Sequence, residues 1–383
     1  MYNLCNMKKI EILYICHTKN LGGAALSLYN LISSVKEYVI PIVLLPQKGQ
    51  AYELFSQNNI KCIIYPFKLN IRNRNIIKHY ITYIPRYIRD YIINKKCIKY
   101  VNKKLIDHNI SIVHSNASVF TIGIELAKTL KAKHVWHIRE FQDLDFNMTP
   151  FTGWKVLKRN IYASDAVIAI TKAVYEHWNL DYAQKAFYIW DAVRSTSDIE
   201  FQIPKKKFFF FCAANLSEEK GTSFAIKAFI LSNLASLGYK LIIAGSYTNE
   251  YRVKLNTLIN EYKIDNNISF IGYCKDIKQY MASATAFLMC SNNEGLGRVT
   301  IEAMFYGCPV IARNTGGTLE FIKNQENGFL IKDLKSCADT MKNVATNTPT
   351  TILKNAQHFA LKNFSEENYG TKIINIYKDI TVQ

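Results

Sequence analysis

The sequence predicts an α/β protein made of two Rossmann-like domains facing each other across a cleft. Three observations predict it. The chain has 383 residues, more than the ~250–300 at which a single hydrophobic core stops growing. Short β-branched or apolar runs alternate with helical patterns in both halves, the mark of parallel sheets covered by helices. A polar break, Arg194-Ser-Thr-Ser-Asp198 and then Pro204-Lys-Lys-Lys207, separates the two series and suits an interdomain linker. The expected domains are therefore 1–195 and 205–364.

The elements follow in order. Ile10 to Cys16 reads as the first strand, followed by a Gly22-Gly23 turn and a helix through about Ser34. Val39 to Leu45, Cys62 to Ile64, Ile110 to His114, Val135 to Ile138 and Ala166 to Ile170 read as further strands, with the clearest helices at Thr121 to Leu130 and Gly153 to Tyr162. Beyond the break, Phe208 to Ala213, Lys240 to Ala244, Ile268 to Ile271, Ala286 to Cys290 and Val310 to Ala312 form a second series of strands. Ligands of such sheets bind outside the carboxyl ends of the strands.

Composition narrows the class. Hydrophobic residues make up 49% and charged ones 20%, so folded structure is expected nearly throughout. The nine cysteines are scattered, with no CxxC pair and no zinc spacing, and Cys212 and Cys290 lie in apolar runs as buried small hydrophobes would. Disulfides and structural zinc are not expected. The apolar stretch Ile12 to Cys16 is too short for a signal-peptide core, and no uncharged apolar run approaches the ~18 residues of a membrane span. A cytoplasmic location is expected.

The net charge of +18 favours polyanionic partners. Between Lys68 and Lys104 lie eleven Lys and Arg residues opposed only by Asp90, interleaved with Ile76, Ile77, Tyr80, Ile84 and Tyr87. This pattern suits an amphipathic helix on an anionic membrane surface, peripheral on the inner face of the plasma membrane, although a solvated helical face has the same composition. Pro85 would kink or divide such a helix. No helix-turn-helix, RNA-recognition or zinc signature accompanies the charge, which argues against a nucleic-acid-binding protein.

The segment richest in chemistry is Ser291-Asn-Asn-Glu294-Gly295-Leu296-Gly297-Arg298-Val299-Thr-Ile-Glu302-Ala-Met-Phe-Tyr-Gly307-Cys-Pro309. It reads strand, Gly-rich turn, short helix, helix stop. A helix starting near Gly297 directs amides and the positive end of its dipole at whatever lies in front, which favours phosphate. Glu302 follows Gly297 by about 7.5 Å along the axis. It can accept bonds from ribose hydroxyls, with Glu294 meeting sugar hydroxyls on the other side of a diphosphate.

This segment resembles the Glu-x7-Glu motif of the retaining family-4 glycosyltransferases, the glycosyl transferases group 1, which have the GT-B fold. Asn314-Thr-Gly-Gly-Thr-Leu-Glu320 and Glu326-Asn-Gly-Phe-Leu330 resemble that family's next loop and strand, and Ala214-Asn215-Leu-Ser-Glu-Glu-Lys220-Gly221 its Gly-Arg-Leu-x-x-x-Lys-Gly element. The resemblance implies transfer of a sugar from a nucleotide diphosphate sugar to an acceptor hydroxyl with retention, as in capsule and lipopolysaccharide assembly, with a lipid-linked saccharide as acceptor. It implies a donor site of Gly22, Gly23, Asn215, Lys220, Gly295, Leu296, Gly297, Arg298, Val299 and Glu302. Glu294, His137 and Lys220 are the implied catalytic groups, and neither a metal nor a cofactor is implied.

A C-terminal helix over about 365–383 would then return to the first domain. Asn215 stands where the family has arginine, and Arg298 is the expected source of the missing charge. His137, in His134-Val-Trp-His137-Ile-Arg-Glu-Phe141, is expected to face the cleft near the reacting centre, with His134 as the other available histidine. Tyr188-Ile-Trp190-Asp191-Ala192 replaces the Asn-Gly found in many members, and Asp143-Leu-Asp145 reads as loop carboxylates.

Two rivals share the architecture. An NAD-dependent oxidoreductase would carry GxGxxG after the first strand and an acidic residue closing the second, and neither is present. A sugar-nucleotide epimerase of the same fold would have no use for a lipid surface.

Overall fold

The computed structural model describes residues 9–73, 83–194, 206–274, 276–347 and 350–381. The chain divides into two compact units, 1–192 with 366–383, and 193–365. Residues 195–205 of the polar break, and Ile76, Ile77 and Tyr80, lie outside the described residues.

The first unit runs β1 (Ile10–Ile15), α1 (Gly23–Val35), β2 (Val39–Leu45), α2 (Gln50–Gln57), β3 (Lys61–Ile64), β4 (Ile71–Asn73), α3 (Tyr83–Lys104), β5 (Ile110–Ser115), α4 (Ile122–Leu130), β6 (Lys133–Ile138), β7 (Met148–Pro150), α5 (Trp154–Tyr162), β8 (Ala166–Ala169), α6 (Lys172–Trp178) and β9 (Ala186–Tyr188). Seven strands form a sheet in the order β3-β2-β1-β5-β6-β8-β9, every pair parallel. The strands β4 and β7 pair separately and antiparallel, Ile71 opposite Pro150. That pair and β9 are too short to have shown a period in the sequence.

Strand β1 shows how a parallel sheet makes two cores from one run of apolar residues. Its side chains alternate between faces. Leu13 and Ile15 join Cys97, Ile98 and Val101 of α3 and Leu126 of α4 on one side. On the other, Ile12 and Tyr14 join Leu28 and Leu31 of α1 and Tyr369, Ile373 and Tyr377 of the C-terminal helix. That helix, from Glu366 to Thr381, belongs to this unit and covers the face on which Ile112, Val135 and Ile168 also lie.

The second unit runs β10 (Phe208–Asn215), α7 (Thr222–Ser232), β11 (Lys240–Ser246), α8 (Asn249–Glu261), β12 (Ile268–Gly272), α9 (Lys278–Ser283), β13 (Ala286–Met289), α10 (Arg298–Phe305), β14 (Val310–Arg313), β15 (Phe329–Ile331), α11 (Leu334–Thr346) and α12 (Thr350–Phe364). The Glu366–Thr381 helix of the first unit follows as α13. Six strands form a parallel sheet in the order β12-β11-β10-β13-β14-β15. Phe208 to Phe211 of the central strand β10 are all buried, as expected of a strand covered on both faces. A capping box of Asp333 and Ser336 opens α11.

The eight described cysteines are free, and Cys16, Cys97, Cys290, Cys308 and Cys337 are buried. Cys212 is only part-buried, because it lies where β10 approaches the open carboxyl edge of its sheet. Among the described residues, no helix is long and apolar enough to cross a membrane.

Candidate active site

In the second sheet the chain winds outward from β10 through β11 to β12, returns to β13 beside β10, and winds the other way. The connections therefore part at β10 and β13, leaving a crevice at their carboxyl ends where ligands of such folds bind. Lys220 follows β10 and Glu294 follows β13. Lys220 Nζ donates to Glu294 Oε2 at 3.0 Å, and both side chains are about one-fifth exposed (20% and 22%). An ion pair so placed stays open to a third partner.

Backbone contacts lock these loops together. The Asn292 amide donates to the Glu219 carbonyl at 2.9 Å, and the Gly317 amide to the Glu294 carbonyl at 2.8 Å. Gly316, at φ +60°, lies so close that a Cβ there would be 2.6 Å from Glu294 O and 2.8 Å from Glu294 N. Gly221, at φ +75°, would place a Cβ 1.9 Å from Cys290 O. Glycine is demanded at both by left-handed backbone and close approach together. The Gly-Gly after β14 thus sets the position of Glu294.

Gly297, at φ +76°, is the N-cap of α10, and the Thr300 amide closes back onto the Gly297 carbonyl at 2.8 Å. Gly295, Leu296 and Gly297 are buried, while Arg298 and Val299 are half-buried. Glu302 is buried one turn into the helix, its Oε1 3.6 Å from Arg298 Nε and 3.7 Å from Arg194 Nη2. Arg298 Nη2 donates to the Val193 carbonyl at 2.9 Å. The charge expected from Arg298 in front of the helix is thus turned toward Glu302, its i,i+4 neighbour on the same helical face. Asn215 is exposed at the carboxyl end of β10. Sequence reasoning missed Arg194, which reaches Glu302 because its backbone bridges to Ser365, a long-range contact without a local signal.

The first sheet has its own switch, between β1 and β5. Gly22 and Gly23 open α1 there, and a Cβ at either would meet nothing within 4 Å. Gly22 has φ −111°, so neither backbone nor packing requires glycine at this turn. Beside it, Asn116 Nδ2 donates to the Ala24 carbonyl at 2.9 Å, and its Oδ1 accepts from Arg139 Nε at 2.8 Å.

Arg139 also forms an ion pair with Asp191 and donates to His137 Nδ1 at 3.2 Å. Asp191 accepts from the Tyr369 hydroxyl at 3.0 Å, and Tyr377 Oη lies 2.9 Å from His114 Nδ1. His137, expected to face the cleft, is wholly buried. It shares the strand face of Val135, which α13 covers. Desolvation, then Arg139, holds its pKa well below the usual histidine range. A guanidinium only donates, so Nδ1 accepts and the neutral ring carries its proton on Nε2, 3.7 Å from Asp191 Oδ1. His134 is occupied at both nitrogens by Ser164 and Ser115, and burial pushes its pKa down to about 3.

The replacement Trp190-Asp191 now has a physical account: Asp191 is the buried counter-ion of Arg139 and the anchor for Tyr369. Asp145 accepts from the Phe141 and Gln142 amides within its own loop, and Asp143 ties that loop to α6 through His177 at 2.9 Å. Among the described residues no group of three or more His, Cys, Asp or Glu could hold a metal.

Residues 193–364, nearly the whole second unit, match the family model Glycosyl transferases group 1. The second unit matches that family, and the chain is a glycosyltransferase with the GT-B fold. It is 24% identical over 308 residues to an uncharacterized glycosyltransferase of Haemophilus influenzae, a match spanning 76% of this chain and 81% of that protein. It is 26% identical over 188 residues to the O-antigen biosynthesis glycosyltransferase WclY of Escherichia coli, 47% of this chain and 49% of that one. The crystal structure of Anabaena Alr3699/HepE, determined with UDP and glucose, superposes with a TM-score of 0.78 at 20% identity, over 97% of this chain and 100% of that one.

Proposed function

We propose that the chain transfers a sugar, with retention of anomeric configuration, from a nucleotide diphosphate sugar to a lipid-linked saccharide in surface polysaccharide or lipopolysaccharide assembly. The observation that carries this reading is the part-exposed Lys220–Glu294 pair at the carboxyl ends of β10 and β13. A diphosphate in front of α10 takes Lys220 as its cation, with Asn215 and the backbone of Gly295, Leu296, Gly297, Arg298 and Val299 as further donors. Releasing Glu294 from that pair frees two acceptor oxygens for the hydroxyls of the transferred sugar. Glu302 meets the ribose, held in place by Arg194 and Arg298. The turn at Gly22 and Gly23 leaves room for donor backbone-to-ligand approach. His137, buried with its Nε2 proton, supports the acceptor side through Arg139 rather than as an exposed base. No metal is needed in this scheme.

The acceptor reading draws on α3. The helix runs unbroken past Pro85 to Lys104. Ile84, Ile88 and Ile92 recur every fourth residue along its outer face, 68%, 52% and 46% exposed, and Arg89, Lys96, Lys99, Lys103 and Lys104 are exposed on the same helix. Such a face suits an anionic bilayer, each basic residue near it contributing ~1 kcal/mol. Arg86 is not among them, since it donates to the Ile71 carbonyl at 2.9 Å and packs over Phe151.

Thermal-shift titration with UDP, GDP and ADP tests the donor assignment. The right diphosphate at ~100 times its Kd adds ~2.7 kcal/mol of stability, Lys220→Ala loses most of it, and EDTA changes nothing. If no nucleoside diphosphate stabilises the protein, the donor site is wrong. Sedimentation with anionic vesicles tests the surface: binding rises with anionic lipid, falls with salt, and drops in Lys96→Gln/Lys99→Gln/Lys103→Gln.

A further inference from the structure

A cavity of about 230 Å³ lies wholly within the first unit, where α3, the start of α4 and the chain after β7 converge. It falls below the ~300–1,000 Å³ of sites for drug-sized ligands, and corresponds to about eight waters at ~30 Å³ each. That is room for one sugar ring and not for a nucleotide sugar.

Its walls combine two chemistries. Tyr87, Tyr91 and Phe151 supply aromatic surface. Tyr83 stacks on Phe151 at 4.6 Å, and Tyr87 stands nearly parallel to Phe151 at 14°, so these rings form a set of aligned plates. Asp90, Asn94 and Glu125 supply much of the polar side, with Lys68 and Lys95 as its cations. Each carboxylate already has a cation: Asp90 pairs with Arg89 at 2.8 Å and Arg86 at 3.4 Å, and Glu125 with Lys95 at 3.3 Å. The acidic lining is thus neutralised from within, while its oxygens can still accept from vicinal hydroxyls. A phosphate guest would meet two carboxylates with only Lys68 and the already paired Lys95 as lining cations, and an apolar guest would make no use of the polar wall. An uncharged polyol with an apolar face fits both walls.

The cavity also shares residues with the apolar face of α3. Tyr87 and Tyr91 line it and are 47% and 55% exposed, lying in sequence between Ile84, Ile88 and Ile92. A ligand whose ring enters here can lay a hydrocarbon tail along those isoleucines. We propose that this cavity, framed by Tyr87, Asp90, Tyr91, Glu125 and Phe151, is a subsite for an uncharged sugar ring carried on an apolar tail. This deepens the acceptor reading above and rests on it.

The test uses the full chain and saturation-transfer NMR titrations with octyl β-glucoside below its micelle concentration, methyl β-glucoside and octyl phosphate. Octyl glucoside binds most tightly, and Tyr91→Ala and Glu125→Gln each weaken both glucosides by about tenfold, the size expected from truncating one anchoring contact. Both positions are part-exposed, so the variants fold. Ile88→Gln weakens octyl glucoside and leaves methyl glucoside unchanged. Octyl phosphate binding as tightly as octyl glucoside, or unaltered glucoside binding in Tyr91→Ala and Glu125→Gln, overturns the proposal. UDP thermal shifts on the same samples separate the two claims. Glucoside binding lost with UDP binding kept defeats this subsite alone, and the reverse defeats the donor assignment alone.

Discussion

The two units wind their sheets by the same rule, outward from β1/β5 in one and from β10/β13 in the other, yet their crevices hold opposite kinds of polar groups. In the second unit the charged pair Lys220–Glu294 is part-exposed and held by loop backbone. In the first, Arg139, Asp191 and His137 are buried and bonded to one another, with Tyr369 reaching in from α13. The difference lies in what covers the strand ends, since α13 returns to one sheet and not to the other. An accessible pair can exchange its partner for a ligand. A buried pair contributes mainly to specificity of packing, and is costly to break.

The largest expected effect strikes the buried crevice. Asp191→Ala leaves Arg139 without its carboxylate and should cost ~3–5 kcal/mol, whereas Lys220→Ala, at a pair that solvent still reaches, should cost only ~1–2 kcal/mol. Asp191→Asn, which keeps an acceptor for Arg139 and Tyr369, should fall between them. Urea unfolding measures all three, and equal losses at Asp191 and Lys220 would erase the distinction between the crevices.

Acid should then separate the units. All four tryptophans, 136, 154, 178 and 190, lie in the first unit, so their fluorescence reports on it alone. Burial lowers the pKa of His17 to about 4 and of His134 to about 3, and holds those of His114 and His137 well below 6.5. The unfolded chain takes up these protons near pH ~6.5 while the folded unit does not. The stability tied to these neutral rings is therefore complete above ~6.5 and lost as pH falls toward their folded values. His358 of the second unit is exposed. The fluorescence midpoint in urea should drop between pH 7 and 4.5 well before the circular-dichroism signal of the whole chain does, and parallel curves would contradict the argument.

The smallest effect on stability is the sharpest for function. Gly316→Ala meets the Glu294 backbone at positive φ and should lose ~1–3 kcal/mol. Gly22→Ala meets nothing and should stay within ~0.5 kcal/mol of the parent while lowering use of the donor. Thermal unfolding paired with donor kinetics reads both. A Gly22→Ala enzyme with unchanged donor kinetics would mean that the first turn does not touch the donor.

Much of the fold was legible because its signals are local. The strands β2, β8 and β13 show as continuous apolar runs, since a parallel strand is buried on both faces, and the helix after Glu294 announces its ends through Gly297, Gly307 and Pro309. Glu294, Glu302 and Lys220 could be named because one strand-turn-helix unit fixes the spacing of each. The short pair β4–β7 escaped, having three residues on each side and no period to detect. Arg194 and Asp191 escaped as site residues for another reason: their partners are 108 and 52 positions away.

By itself, then, the amino-acid order determined the two α/β series, the break between them and the Gly-rich loops before α10, because backbone conformation and hydrophobic period are properties of neighbouring residues. Only the tertiary structure decided which charges stay open and which are buried. It turned Arg298 toward Glu302, closed α13 over His137, and set the aromatic rings of α3 around a cavity. Burial and charge pairing depend on groups brought together from distant parts of the chain, and no local pattern encodes which face of a strand a later helix will cover.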